Sequence, residues 1–369
     1  MERLAGGLIR VPAFVDIHVH FREPGFPEKE DIISGARAAA AGGYRAVCMM
    51  PNTRPAIDSV SALMDADRRG REVFIETGVC IFAASAMTRS QAGRELVDFD
   101  AMDGAGTYLR ELTGHGVCGI SEDGMTLADE GLMERVCGAA VRLGLPLMDH
   151  AEPEAEIIQR DIGLARRTGA RFHIQHVSLA ESAALVREAK AEGLPVTCET
   201  APHYFTLTEE EARPGRQGTN AKMNPPLRTE ADRLAIIEGL ADGTIDCIAT
   251  DHAPHEEAVK ALPYEEAANG IVGLETAFPV AYTELVKSGV MALEDLIRLM
   301  SVRPAEIIGL PAVSDDYGDY VELDLDTPWE IDPGAFLSKG RNTPFGGKKV
   351  YGRVVRTVIG GREVYVWGG

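Results

Sequence analysis

The chain has 369 residues, 45% hydrophobic and 25% charged, a balance that excludes a disordered or fibrous protein. No apolar run approaches the ~20 residues of a membrane span. The formal net charge of -20 speaks against nucleic acid and anionic membrane surfaces as partners. It leaves room for an anionic small-molecule substrate, since a metal and a few Arg or His side chains can reverse the field locally.

The first residues, Met1 to Gly7, lack the basic and apolar regions of a signal peptide, so a cytoplasmic location is expected. The cysteines (Cys48, Cys80, Cys118, Cys137, Cys198, Cys247) are scattered, with no CxxC pair, mostly inside apolar runs. They read as reduced, buried small hydrophobes.

In chain order, Val15 to His20 reads as a first strand, apolar and β-branched, running into Phe21-Arg22-Glu23-Pro24-Gly25. Glu28 to Ala41 is helical and stops at Gly42-Gly43. Tyr44 to Met50 is a second strand, followed by the turn residues Pro51-Asn52-Thr53-Arg54-Pro55. Val60 to Gly70 is predicted helical and Val73 to Phe82 is the predicted third strand. After a polar helical stretch, Val117 to Ile120 is a short fourth strand running into Ser121-Glu122-Asp123-Gly124. Helices at Leu127–Leu143, Glu154–Thr168, Leu179–Glu192 and Ala231–Leu240 then alternate with strands at Pro146–His150, Arg171–Val177, Pro195–Glu199 and Ile245–Thr250.

Eight strands with intervening helices point to an α/β fold, a (β/α)8 barrel of the TIM type. It is expected over residues 14–310, after a short segment 1–13 and before an extension 311–369. Leu274–Lys287 and Leu293–Met300 read as outer helices. From about Asp316 the texture changes: Val321 to Leu325 alternates, and Tyr351 to Trp367 carries two β-branched runs split by Gly360-Gly361. These predict a small β appendage.

The informative polar residues sit at strand ends. His18 and His20, two apart on a strand, face the same side and suit either a metal or a pair of hydrogen-bonded core histidines. Asp123, His150, His176 and Asp251 follow or end later strands, at the rim where barrel enzymes keep their sites. Six N/O donors exceed one tetrahedral zinc but suit two metals sharing a carboxylate, an arrangement that activates water and polarises a carbonyl. His173, three residues before His176, is expected in the core or against a helix. His115 and His203 carry no placement signal, and His252 is ambiguous. His255, two past Pro254, is a loop histidine placed for substrate contact.

Asp16-Ile17-His18-Val19-His20-Phe21-Arg22-Glu23-Pro24-Gly25 resembles the first signature of the dihydroorotases in the amidohydrolase superfamily, and Ala249-Thr250-Asp251-His252-Ala253-Pro254-His255 the second. Met50 to Pro55, Lys222-Met223-Asn224-Pro225-Pro226-Leu227-Arg228, Gly270 to Ala277 and Phe336 to Phe345 are similar to further family segments. The resemblance implies reversible closure of N-carbamoyl-L-aspartate to L-dihydroorotate, a step of pyrimidine biosynthesis. It implies two divalent metals, zinc first, held by His18, His20, Asp123, His150, His176 and Asp251, with Asp251 also the catalytic proton shuttle. Arg22, Asn52 and His255 would bind the substrate carboxylate, Asn224 the ring, and the backbone around Asn269 and Gly270 the pyrimidine edge. A homodimer is expected, and association with aspartate transcarbamoylase is a further partner to consider.

Many binuclear amidohydrolases, hydantoinases among them, bridge their metals with a carboxylated lysine from strand four. No lysine lies between Lys29 and Lys190 here, so the bridge falls to Asp123, or to Glu122 if the register differs. Two departures stand out: the β-structure before the first signature is reduced to Met1–Ala13, and the loop between His150-Ala151-Glu152 and Glu154 is short. Asn269 also stands where an aromatic is common. Two alternatives follow: another cyclic-amide hydrolase of the hydantoinase or dihydropyrimidinase kind, or a non-catalytic barrel partnering aspartate transcarbamoylase.

Overall fold

The structure, a computed structural model, describes residues 1–311 and 318–368. Its centre is a run of eight parallel strands. Phe14–Val19, Tyr44–Met49 and Cys80–Ala83 pair in that order. The third strand resumes as Ser85–Ala86, which leads a second run of Ile120–Ser121, Leu147–Asp149, Phe172–Ile174, Val196–Thr200 and Cys247–Ile248. A parallel bridge between Val19 and His252, with the His20 N–H on the His252 carbonyl at 2.9 Å, returns the last strand to the first. That closes the (β/α)8 barrel the alternation predicted.

Local chemistry sets the helix ends. Asp31 caps the helix Ile32–Gly42 in a reciprocal box with Ser34, and Asp129 caps Glu130–Leu143. The first of these helices therefore starts later than Glu28: Asp31 is its N-cap, with extended backbone, and the Glu30 carboxylate bonds Ser338 and Lys339 instead. The segment Val73–Thr77, expected as strand, is the last part of the helix Val60–Thr77. Gly70 does not stop that helix. It lets the helix lie against the third strand, where a Cβ would stand 3.1 Å from Ile81 Cβ, and the real stop is the left-handed Gly78. The later outer helices are broken: Ala277–Ala281 and Leu293–Ile297 each run on into a wider-turned segment, Tyr282–Val286 and Arg298–Val302.

Cys48 and Cys118 are joined as a disulfide, against the expectation that all six cysteines are reduced. Both side chains enter one buried cluster with Val15, Ile17 and Met148, a convergence no linear spacing reveals. Cys80, Cys137, Cys198 and Cys247 are free.

The appendage is a five-stranded antiparallel sheet in the order Glu2–Arg3, Ile9–Pro12, Tyr320–Asp324, Arg353–Ile359 and Arg362–Val366. Its expected start at Asp316 lies outside the described residues. Ile9, Val11, Val321, Leu323 and Val354 join the same buried cluster as Phe14 and Tyr44. The first barrel strand is thus held from its N-terminal side. The Ala13 N–H reaches the Asp319 carbonyl at 3.2 Å, Ser301 Oγ donates to the Ala13 carbonyl at 2.7 Å, and Phe14 stacks on Phe278 with centroids 5.1 Å apart. Among the described residues, no helix is long and apolar enough to cross a membrane.

Candidate metal centre and active site

At the C-terminal ends of the barrel strands, four histidines converge on one carboxylate. His18 Nε2 lies 3.3 Å, His150 Nδ1 3.4 Å and His176 Nε2 3.7 Å from Asp123 Oδ1, and His20 Nε2 lies 3.4 Å from Oδ2. Asp251 faces the same group: its Oδ1 lies 2.9 Å from His20 Nε2 and 3.5 Å from His18 Nε2. His150 Nδ1 and His176 Nε2 are 2.8 Å apart. All six residues are buried. His176 and Asp251 reach the group from left-handed backbone, at φ 36° and 48°, unusual for residues with a Cβ and typical of functional sites.

The electrostatics follow from this crowding. Burial opposes charge on Asp123, yet His18, His150 and His176 hold its carboxyl well below the usual range. Burial likewise works against the Asp251 carboxylate, but His18 and His20 keep it at about 2. Burial would lower His18, and the carboxylates of Asp123, Asp251 and Glu199 overcome it to push the imidazole well above its ordinary value. Burial takes His176 down.

These residues fit divalent metals. His18 Nε2 and Asp123 Oδ1 are buried and face each other without a hydrogen-bond partner among the described residues. Two sets, His18 with Asp123 and His176, and His18 with His20 and Asp251, bring donor atoms within 4.8 Å of one another. Imidazole nitrogens and carboxylate oxygens are the donors zinc and its neighbours accept. The next layer orients them: Glu199 Oε1 accepts from His18 Nδ1 at 2.6 Å, which turns Nε2 toward the centre, and Asn52 Oδ1 lies 3.0 Å from His20 Nδ1. Glu122, the alternative to Asp123, is spent elsewhere. It accepts the N–H groups of Met87 and Thr88 at 2.8 and 3.0 Å and bonds the Thr88 hydroxyl.

Above the centre opens a cavity of about 260 Å³. Arg22, Asn52, Asn224, His255, Asn269 and Gly270 line it together with His20, Asp123, His150, His176 and Asp251, so the sequence-derived set is brought together in one place. His18 lies beneath it. Burial lowers the Arg22 guanidinium to about 10, which leaves it charged at neutral pH, and burial, then Arg22 itself, brings His255 to about 3. Arg22 Nη2 and His255 Nε2 are 3.5 Å apart, and Arg22 Nε and His255 Nδ1 are buried without a hydrogen-bond partner among the described residues. Asn224 Nδ2 donates to Glu152 Oε2 at 2.9 Å and lies 3.3 Å from His150 Nε2.

The other histidines do not line the cavity. His252 lies with Nε2 3.2 Å from Glu30, and its Nδ1 accepts the Gly273 N–H at 3.1 Å. His115 pairs with Asp103 at 3.2 Å. His173 is a core histidine between Thr197 Oγ1 and Glu199 Oε2, while His203 is buried beside Tyr204. Among the groups that orient the donors, sequence reasoning missed Glu199. Its signal was an acidic side chain next to last in the otherwise uncharged strand Val196–Thr200.

Residues 9–364 match the amidohydrolase family. The chain is 41% identical to a dihydroorotase of Staphylococcus epidermidis, over 98% of this chain and 88% of that protein. It is 40% identical to one of Desulforapulum autotrophicum, over 97% and 87%. Among solved structures it superposes on the L-hydantoinase (dihydropyrimidinase) of Arthrobacter aurescens with a TM-score of 0.86 at 24% identity, covering 99% and 87%. An inactive dihydroorotase-like domain of a Chaetomium thermophilum CAD-like multifunctional protein gives 0.69 at 21%, covering 96% and 94%. Those two likenesses speak for the barrel fold, and the near full-length matches at about 40% identity place the chain in a narrower group: it belongs to the dihydroorotase family of the amidohydrolases.

Proposed function

We propose that this protein is a dihydroorotase, which opens L-dihydroorotate to N-carbamoyl-L-aspartate and closes it again, in the cytosol and within pyrimidine biosynthesis. The observation that carries the reading is the pairing of one cavity's two halves: an N/O donor cluster on its floor and the charged Arg22 beside His255 on its wall. A neutral ring offers nothing for that cation, whereas a ring bearing a carboxylate does.

His18, His20, Asp123, His150, His176 and Asp251 would hold two divalent metals, zinc first. When bound, the metals supply Lewis-acid polarisation of the ring carbonyl and a more acidic water. Arg22 clamps the substrate carboxylate, helped by Asn52 and His255, and so fixes the ring over Asp251. Asn224 and the backbone at Asn269 and Gly270 contact the ring. In the hydrolytic direction a water oxygen adds to the ring carbonyl carbon and Asp251 takes up the water's proton. The ring C–N bond then breaks as the same carboxyl group returns that proton to the leaving nitrogen. Cyclisation runs through the same steps in reverse.

The absence of lysine from Glu30 to Ala189 speaks against a carboxylated-lysine hydantoinase, and the retained donor set speaks against a non-catalytic barrel. The test is turnover by zinc-loaded protein on a panel of dihydroorotate, dihydrouracil and hydantoin. Dihydroorotate should be hydrolysed fastest. No turnover of it with metal bound, or preference for a neutral ring, would overturn the reading.

A further inference from the structure

The floor of the cavity is built by the barrel strands, but the wall that faces the substrate is not. It is made by two irregular segments, Ala253–His255 after the last strand and Ala268–Gly270 further on. Irregular backbone holds a shape only if its polar groups are tied down. The tie comes from the far end of the chain. Asn342, 3% exposed, donates from Nδ2 to the carbonyls of Ala253 and Gly270, both at 2.9 Å, and accepts the His255 N–H on Oδ1 at 3.0 Å. Its own carbonyl accepts the Val272 N–H at 3.0 Å.

From this geometry we infer that Asn342 is the positioning residue that sets the substrate wall, holding His255 and Gly270 where the proposed dihydroorotate ring and carboxylate are read. The inference rests on the dihydroorotase reading for its ligand and on the hydrogen bonds for its mechanism. A primary amide is the group the place requires: two N–H donors for two carbonyls and one oxygen for an N–H. The two segments also pass close to each other. Gly270 sits at φ +147°, and a Cβ there would stand 2.5 Å from the Ala253 carbonyl oxygen. Lys260 braces the same point from the other side, with Nζ donating to the carbonyls of Gly270 at 3.0 Å and Ala268 at 2.9 Å.

Asn342 is itself registered on the first strand's loop. Ser338 Oγ and the Lys339 N–H both bond the buried Glu30 carboxylate, which also faces His252 next to Asp251. The tail thus fixes the wall relative to Arg22 and the metal floor together. Asn342 touches none of the six proposed metal residues, so its loss should weaken substrate recognition and leave the chemistry on the floor in place.

The experiment compares zinc-loaded wild type with N342A, N342D and K339A. Lys339 lies in the same tail, but its side chain reaches Pro27 and Asp31 instead of the wall. In N342A and N342D, KM for dihydroorotate should rise by about tenfold or more, with kcat within about threefold and metal content unchanged. Amide hydrogen exchange at residues 253–255 and 270–272 should quicken in both, and K339A should show neither effect. A KM within about twofold of wild type in N342A, a kcat loss as large as the KM rise, or loss of metal would overturn the inference. If N342A does not fold, N342S decides by the same readings. If wild type itself fails to turn over dihydroorotate, the functional reading falls, and the exchange comparison still decides the role of Asn342: unchanged exchange at the wall refutes it.

Discussion

Glu122 and Asp123 are adjacent in sequence and send their carboxylates to different tasks: Glu122 ties down the backbone of Met87 and Thr88, while Asp123 meets four histidines. D123N should therefore lose most of its bound metal and at least about a thousandfold in kcat/KM. E122Q should keep its metal and lose about 1–3 kcal/mol of stability, as a buried hydrogen-bond network is broken. Metal analysis and chemical unfolding of the two variants check this. The opposite pattern would make Glu122 the bridge.

Arg22 is the charged group of the cavity wall. R22M should raise KM for dihydroorotate by about a hundredfold, the cost of leaving a buried carboxylate without its partner. R22K should recover only part of this, because an ammonium cannot present the planar fork. Steady-state kinetics decide it, and an unchanged KM would move the carboxylate site elsewhere.

Removing metal should destabilise the fold as well as stop turnover. Four imidazoles and two carboxylates are packed with buried donor atoms facing one another, an arrangement that costs free energy without a cation between them. A chelator should lower the thermal midpoint by about 5 °C or more, and zinc should restore it. A midpoint indifferent to chelator would contradict a metal centre here.

His18 depends on Glu199. Because Glu199 accepts from Nδ1 at 2.6 Å, E199Q should turn or loosen the ring. Metal affinity should fall by about ten- to a hundredfold, measured by competition with a chromogenic chelator. Unchanged affinity would reduce Glu199 to a packing role.

Glu275 provides a pH test away from the metal. Burial raises its carboxyl to about 7 from the ordinary 4.5, against the backbone N–H bonds from Ser338 and Leu337. A folded value above the unfolded one gives stability that is fully present below 4.5 and lost as pH rises through 7. E275Q keeps an oxygen for those N–H groups and carries no charge. Its stability relative to wild type should increase by about 2 kcal/mol between about pH 5 and pH 8. Parallel stability curves for the two proteins would refute the shift.

The sequence by itself determined the alternation that makes a barrel and the residues of its floor. Histidines two apart on a strand, and acids or histidines at later strand ends, are local patterns, and a parallel barrel brings all its strand ends to one rim. His18, His20, Asp123, His150, His176 and Asp251 meet there for that reason. Tertiary structure decided what local pattern cannot carry. Gly70 reads as a stop until the third strand is seen lying against it. Cys48 and Cys118 read as independent until the barrel brings them together. Glu122 and Asp123 are told apart by Met87 and Thr88, and the wall of the cavity depends on Asn342, a residue from the other end of the chain. Each of these rests on a contact between residues distant in sequence, whose energy exists only once the chain has closed on itself.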